Sequence, residues 1–185
     1  MFSVDIDQYL QTENWFDYHS FYDFISEKNY KKLVEVGVWK GHSISYLASK
    51  NKNSKIYAVD LFELSLELFH DEIKKQIPYI YEIYNKNLNI DGTRKIIRDI
   101  KGLSWEASEH FQDYTVDFVF LDASHNYESV KNDINAWFPK VRSGGIIAGH
   151  DYDWNGVNKA VNEFAKEKLE INTFDGGVWY INKIQ

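Results

Sequence analysis

An α/β fold built on one doubly wound, mainly parallel sheet of seven strands is predicted by three observations. Asp117-Phe118-Val119-Phe120-Leu121-Asp122 sets an apolar run between two acids, the pattern of a strand buried on both faces at the centre of a parallel sheet. Similar short apolar runs alternate along the chain with segments of helical period, as repeated strand and crossover-helix units require. The last two runs are separated only by Asp175-Gly176-Gly177, too short for a parallel crossover, so they form an antiparallel hairpin.

Taken in order, Asn14 to Asn29 carries Trp15, Phe16, His19, Tyr22 and Ile25 at three- and four-residue spacings, which predicts a helix with an aromatic face. Lys31 to Val36 is the first strand, and a turn through Gly37 and Gly41 leads into a helix with Ile44, Leu47 and Ala48. Ile56 to Asp60 is the second strand. Phe62, Leu66, Leu68, Phe69, Ile73 and Ile77 suggest a helix that Pro78 ends, with another over Tyr79 to Leu88. Ile96 to Gly102 reads as the third strand, and Ser104-Trp105-Glu106 opens a short helix ending near Phe111. After the central strand, a helix from Asn126 to Phe138 presents Val130, Ile134, Trp137 and Phe138 on one face. Pro139 and the Ser143-Gly144-Gly145 turn close that unit. Ile146 to Asp151 is a fifth strand, a helix follows from about Gly156 to Lys168, and the hairpin strands are Glu170 to Phe174 and Val178 to Ile184.

The 185 residues are 44% hydrophobic and 17% aromatic, enough for one full core, so a single domain is expected over residues 1–185, with 1–30 as a helical extension. Lys plus Arg is 21 against 28 Asp plus Glu, a net charge of −7 that argues against a non-specific nucleic-acid binder. A small-molecule acceptor or ligand fits that balance better. The absence of cysteine removes disulfides, thiolate metal sites and cysteine nucleophiles together. No run approaches the roughly 18 apolar residues of a membrane span, and no signal-peptide pattern opens the chain, so a soluble, cytoplasmic protein without membrane partners is expected.

Ligands of open α/β sheets bind outside the C-terminal ends of the strands. Asp122 occupies such an end, and Asp122 to Tyr127 should therefore line a site, unless Asp122 and Asn126 only cap the next helix. Gly37 and Gly41 permit a tight turn and close backbone approach where a helix N-terminus would favour a carboxylate or phosphate. Asp60, ending the second strand, is placed to accept both hydroxyls of a ribose.

This arrangement resembles the class I S-adenosylmethionine-dependent methyltransferases, whose Rossmann-like sheet ends in an antiparallel hairpin. Glu35-Val36-Gly37-Val38-Trp39-Lys40-Gly41-His42-Ser43 looks like the family's cofactor loop, and Val59-Asp60 like its ribose-binding acid. The pairing of Leu121-Asp122-Ala123-Ser124-His125-Asn126-Tyr127-Glu128 with Gly144 to Tyr152, through Gly149-His150-Asp151, resembles a narrower branch. That branch comprises small-molecule O-methyltransferases, including macrolide-sugar enzymes and cephalosporin-hydroxylase-like relatives. The match covers about residues 31 to 184 and leaves the N-terminal helix outside.

The resemblance implies S-adenosyl-L-methionine lying across the strand ends, with Glu35, Gly37, Gly41 and Ser43 around its amino-acid and sulfonium end. Asp60 would hold the ribose, Asp122 would approach the methyl end, and Ser104 with Trp105 would flank the adenine, although Trp105 suits a core position equally. It further implies a divalent metal, magnesium or manganese, held by Asp122 and Asp151, with His150 as a third ligand. Metal-dependent members of the branch tend to carry two acids where this chain has His150-Asp151, which weakens the case for oxygen-loving magnesium. Methyl transfer to a hydroxyl needs a proton acceptor, and histidine suits that task. Of the six histidines, His19, His70 and His110 sit in helical patterns and His42 in the cofactor loop, which leaves His125 as the preferred base and His150 as ligand or alternate base. Tyr127, Tyr152 and Trp154 could stack on a sugar or ring, or anchor loops. The acceptor is left to an open groove or a partner subunit, so homo-oligomerisation stays open. A catalytically silent nucleotide-type binding module of the same fold is the competing reading. A nicotinamide-dependent oxidoreductase is weaker, because the glycine turn lacks the spacing that brings backbone against a pyrophosphate.

Overall fold

The computed structural model describes residues 5–10, 15–63, 71–166 and 169–184. Seven strands form one sheet in the order β3-β2-β1-β4-β5-β7-β6. In chain order they are β1 (Lys32–Val36), β2 (Lys55–Asp60), β3 (Ile97–Lys101), β4 (Val116–Leu121), β5 (Val141–Gly149), β6 (Asn172–Phe174) and β7 (Val178–Asn182). The first five run parallel, whereas β7 pairs antiparallel with β5 and β6 antiparallel with β7. Every residue of β4 is buried, as its unbroken apolar run predicted, and it lies fourth of seven.

The helices are α1 (His19–Ser26), α2 (His42–Lys50), α3 (Asp71–Lys74), α4 (Ile80–Ile90), α5 (Ser104–Ala107), α6 (Tyr127–Trp137) and α7 (Asn155–Ala165). Alternation along each strand sends its side chains to two cores. On one face, Leu33, Phe118 and Phe120 pack with Phe21, Tyr22 and Ile25 of α1, and Ile56 and Ala58 with Ile44 of α2 and Tyr84 of α4. On the other, Val34, Val36 and Val119 pack with Ile134 and Trp137 of α6 and Val157 and Val161 of α7. The strand order reverses between β1 and β4, and their C-terminal ends open the crevice that holds the site.

Several expected boundaries move. The first helix spans only His19–Ser26; residues 15–18 approach it as irregular chain, and 11–14 lie outside the described residues. Most of the segment predicted as a helix from Phe62 also lies outside them, at 64–70, while Pro78 sits in a 3₁₀ turn (Ile77–Tyr79) leading directly into α4. Ser143-Gly144-Gly145 is no terminating turn but part of β5, which begins at Val141. Its pairing with β4 shifts register between Val116 and Phe118, and Gly144 takes φ +75°, the mark of an irregularity absorbed inside a strand. The α7 helix ends at Ala165, three residues early.

Candidate active site at the strand ends

Glu35, one residue before the end of β1, is fully buried. Its Oε2 accepts from Tyr22 Oη at 2.8 Å and its Oε1 accepts from Ser43 Oγ. Burial pushes this carboxyl up to about 8, although both hydroxyl donors favour the charged form. Gly37 follows at φ +84°, and a Cβ there would lie 2.0 Å from the Asp122 carbonyl oxygen, so only glycine lets the β1 exit pass beside the β4 exit. Gly41, also at φ +84°, opens α2 without a side-chain cap and leaves first-turn amides to a carboxylate. Trp39 Nε1 and His42 Nε2, in the same turn, are buried without a hydrogen-bond partner among the described residues. A buried acid and an uncapped helix start fit a zwitterionic cofactor.

Asp60 ends β2 as predicted and has a duty that its position alone did not disclose. Its Oδ2 accepts from the amides of Val38 (2.8 Å) and Trp39 (3.1 Å), and its Oδ1 from that of Phe62 (2.7 Å). Burial raises its pKa against those bonds. Asp60 therefore braces the glycine loop, and a ribose would share an acid already engaged with backbone. Ser104 likewise turns inward, its Oγ accepting from Trp137 Nε1 at 3.0 Å, while Trp105 beside it is half-buried.

Past β4 and β5 lies a cluster of two acids and two histidines. His125 Nε2 is 2.7 Å from Asp151 Oδ2. His150 Nδ1 is 3.2 Å from the same oxygen and 3.8 Å from Asp122 Oδ1, while its Nε2 is 3.2 Å from Asp17 Oδ1. Asp151 takes φ +56°, a left-handed conformation that aims its carboxylate back between the histidines. Burial disfavours the Asp151 carboxylate, but hydrogen bonds to both histidines overcome that and hold it well below the usual range. Burial likewise opposes a charged His150, yet Asp151 and Asp122 lift it to about 9. The His125 pKa is raised chiefly by its hydrogen bond to Asp151, and that of Asp122 by burial.

One ligand atom each from Asp122, His125 and Asp151 lies within 4.8 Å of the others. Two carboxylates and an imidazole suit a divalent ion, manganese better than magnesium. His125 joins the two acids expected as ligands, and His150, the third ligand expected, also lies beside both acids, with Asp17 on its other nitrogen.

Sequence reasoning missed Asp17, Tyr18 and Tyr22. Tyr18 Oη donates to Asp122 Oδ2 at 2.8 Å, so the N-terminal segment belongs to the site. The signal was available: tyrosines on an otherwise apolar helix face must find hydroxyl partners when buried. Trp154 packs against His125 with centroids 4.7 Å apart and the rings tilted by 34°, and stays half exposed. Tyr127 and Tyr152 face away, bonding Glu163 and Asn162. Below the cluster a narrow cavity is lined by Asp133 of α6 and Trp179 of β7 among others, and Asp133 Oδ1 and Trp179 Nε1 have no partner among the described residues.

The family model described as a methyltransferase domain matches residues 34–152, from the middle of β1 to just past the His150-Asp151 pair. The chain belongs to this methyltransferase domain family. The family implies S-adenosylmethionine as methyl donor, and the glycine loop, Asp60 and Asp122 all fall inside the matched span. An uncharacterised protein of Acanthamoeba polyphaga mimivirus is 27% identical over 161 residues, which cover 80% of this chain and 67% of that one. The methyltransferase sheet superposes on cofactor-bound Rv0187 from MTB with a TM-score of 0.69 at 15% identity, covering 98% of this chain and 81% of that one. It superposes on the O-methyltransferase NovP with a TM-score of 0.68 at 18% identity (90% and 78%), and on CalS11, a TDP-rhamnose 3'-O-methyltransferase, at 0.62 and 16% (96% and 83%). These likenesses establish the shared fold. No helix among the described residues is long and apolar enough to cross a membrane.

Proposed function

We propose that this methyltransferase transfers the S-adenosylmethionine methyl group to a hydroxyl oxygen of a small molecule, such as a sugar or polyketide, with a divalent ion assisting. The observation that carries this reading is the convergence of Asp122, His125 and Asp151 within 4.8 Å, beside the glycine turn at the ends of β1 and β2. Both O-methyltransferases named above share the fold, which supports the acceptor class by analogy only.

Glu35, with Gly37, Gly41 and Ser43, would receive the amino-acid end of the donor. Asp60 keeps the loop in shape and meets the ribose. Asp122, His125 and Asp151 would hold the ion, which when bound polarises an acceptor oxygen and lowers its pKa. His150 is held charged near neutral pH by Asp151, Asp122 and Asp17. Neutralising Asp122 and Asp151 would lower its pKa and make the imidazole a readier proton acceptor. The in-line displacement also needs the acceptor aligned and shielded from water, and Trp154, half exposed over His125, offers a stacking face for it.

The test combines binding with turnover. S-adenosylmethionine should raise the melting temperature while NAD does not. Radiolabelled methyl should then pass into a metabolite extract in the presence of Mn²⁺. Transfer that persists unchanged through exhaustive EDTA treatment rejects ion assistance, and a chain that ignores the donor rejects the whole reading.

A further inference from the structure

Tyr18, the N-cap of α1, and Tyr22, in its first turns, are four residues apart, so they project from one face about 6 Å apart along the helix axis. Their rings meet edge to face with centroids 5.2 Å apart. Below them, β1 and β4 run side by side with Glu35 opposite Phe120, and Asp122 lies two residues beyond Phe120 on the same face. Paired strands lie about 4.8 Å apart, close to the rise between the two tyrosines. Each hydroxyl thus reaches its own carboxylate: Tyr22 to Glu35 and Tyr18 to Asp122, both at 2.8 Å. Resting on the function proposed above, we propose that α1 is a two-point clamp in which Tyr22 positions the cofactor carboxylate and Tyr18 the ion-binding carboxylate.

The packing supports this division. Both rings are essentially inaccessible and sit in the aromatic cluster with Phe16, Phe21, Phe118 and Phe120. Burial keeps both phenols protonated, so each remains a donor. A donor to one carboxylate oxygen fixes the rotation of the group; the other oxygen of Asp122, Oδ1, faces His150, and that of Glu35, Oε1, accepts from Ser43 Oγ of the cofactor loop. Partners that orient ligands from behind in this way typically change affinity by about 10- to 100-fold when removed. Both tyrosines precede residue 34, where the family match begins, whereas the two carboxylates they hold lie inside it.

Tyr18→Phe and Tyr22→Phe keep the rings and remove only the hydroxyls. Mn²⁺ affinity, read by electron paramagnetic resonance on the cofactor-free chain, and S-adenosylmethionine affinity, read by calorimetry, should separate the two positions. Y18F should weaken Mn²⁺ by about tenfold or more with cofactor affinity nearly unchanged, and Y22F the reverse. Two variants that melt at lower temperature yet bind both ligands like the parent would show that the tyrosines only fill the core, and would overturn the clamp. Equal losses of both ligands in both variants would overturn the division of labour. A parent chain that binds the cofactor but no Mn²⁺ overturns the Tyr18 half and leaves Tyr22 to be judged on cofactor affinity. A parent that binds no cofactor refutes the proposed function itself.

Discussion

Glu35→Gln removes the titratable proton of the most deeply buried acid of the site, and its effect can be worked out from the protonation it alters. The Glu35 carboxyl titrates near 8 because burial outweighs the bonds from Tyr22 and Ser43. At pH 7 such a group is about nine-tenths protonated, while an α-amino group titrating near 7.8 is about one-seventh deprotonated. Pairing a carboxylate with the donor's ammonium should therefore release about 0.8 proton per binding event at pH 7. By pH 9 the balance inverts, with the carboxyl mostly ionised and the amine mostly neutral, so binding should take up about 0.8 proton. The crossover lies near pH 7.9 by the same reasoning. Calorimetry in phosphate and Tris, whose ionisation enthalpies differ, reads these numbers as the change in apparent binding enthalpy between buffers. E35Q should abolish the release at pH 7 and weaken binding by about 1.5–3 kcal/mol, the range for a hydrogen bond to a charged group. Binding enthalpies for the parent chain that are independent of buffer at both pH 7 and pH 9 would refute the pairing of Glu35 with the ammonium.

Three further outcomes can be measured without a known acceptor. Asp117 accepts the amides of Lys31 and Lys32 and the Arg142 guanidinium, which ties β1, β4 and β5 at their shared end. Asp117→Ala should therefore cost about 3 kcal/mol and lower the melting temperature by about 6–12 °C, and a shift under 2 °C would contradict that role. His150 titrates near 9 when folded against about 6.5 unfolded, so its contribution is full below pH 6.5 and lost as pH rises to 9. It amounts to about 3 kcal/mol at most. His150→Gln should flatten the pH dependence of chemical-denaturation stability over that window, and an unchanged slope would place its charge elsewhere. Gly37→Ala, forced to meet the Asp122 carbonyl at φ +84°, should lose cofactor binding and melt lower, whereas a parent-like chain would mean that the loop can relax away from β4.

Much of the architecture was legible locally. Period-two and unbroken apolar runs located the seven strands, the three-residue Asp175-Gly176-Gly177 link required the antiparallel end, and the strand-ending acids marked the edge of the crevice. These features follow from backbone geometry and side-chain alternation, which act over a few residues. Boundaries were less secure where pairing overrode composition: Ser143-Gly144-Gly145 has turn residues, yet backbone hydrogen bonds of Gly144 and Gly145 to Lys183, just past β7, hold it in β5.

The roles of the site residues depended on distances that no spacing encodes. His125 and His150 are chemically equivalent in the sequence; only the left-handed turn at Asp151 and the approach of Asp17 set His125 against Asp151 and His150 among Asp17, Asp122 and Asp151. Asp60 could be recognised as a strand-ending acid, but not as the brace of Val38 and Trp39. Tyr18 lies 104 residues from Asp122, and its aromatic surroundings announced a packing residue. By itself the sequence determined the sheet and the type of chemistry available at its edge, because periodicity is a property of short segments. Tertiary structure alone decided which hydroxyl, carboxylate and imidazole meet, because a hydrogen bond forms only within about 3 Å and that closeness arises from the packing of distant segments.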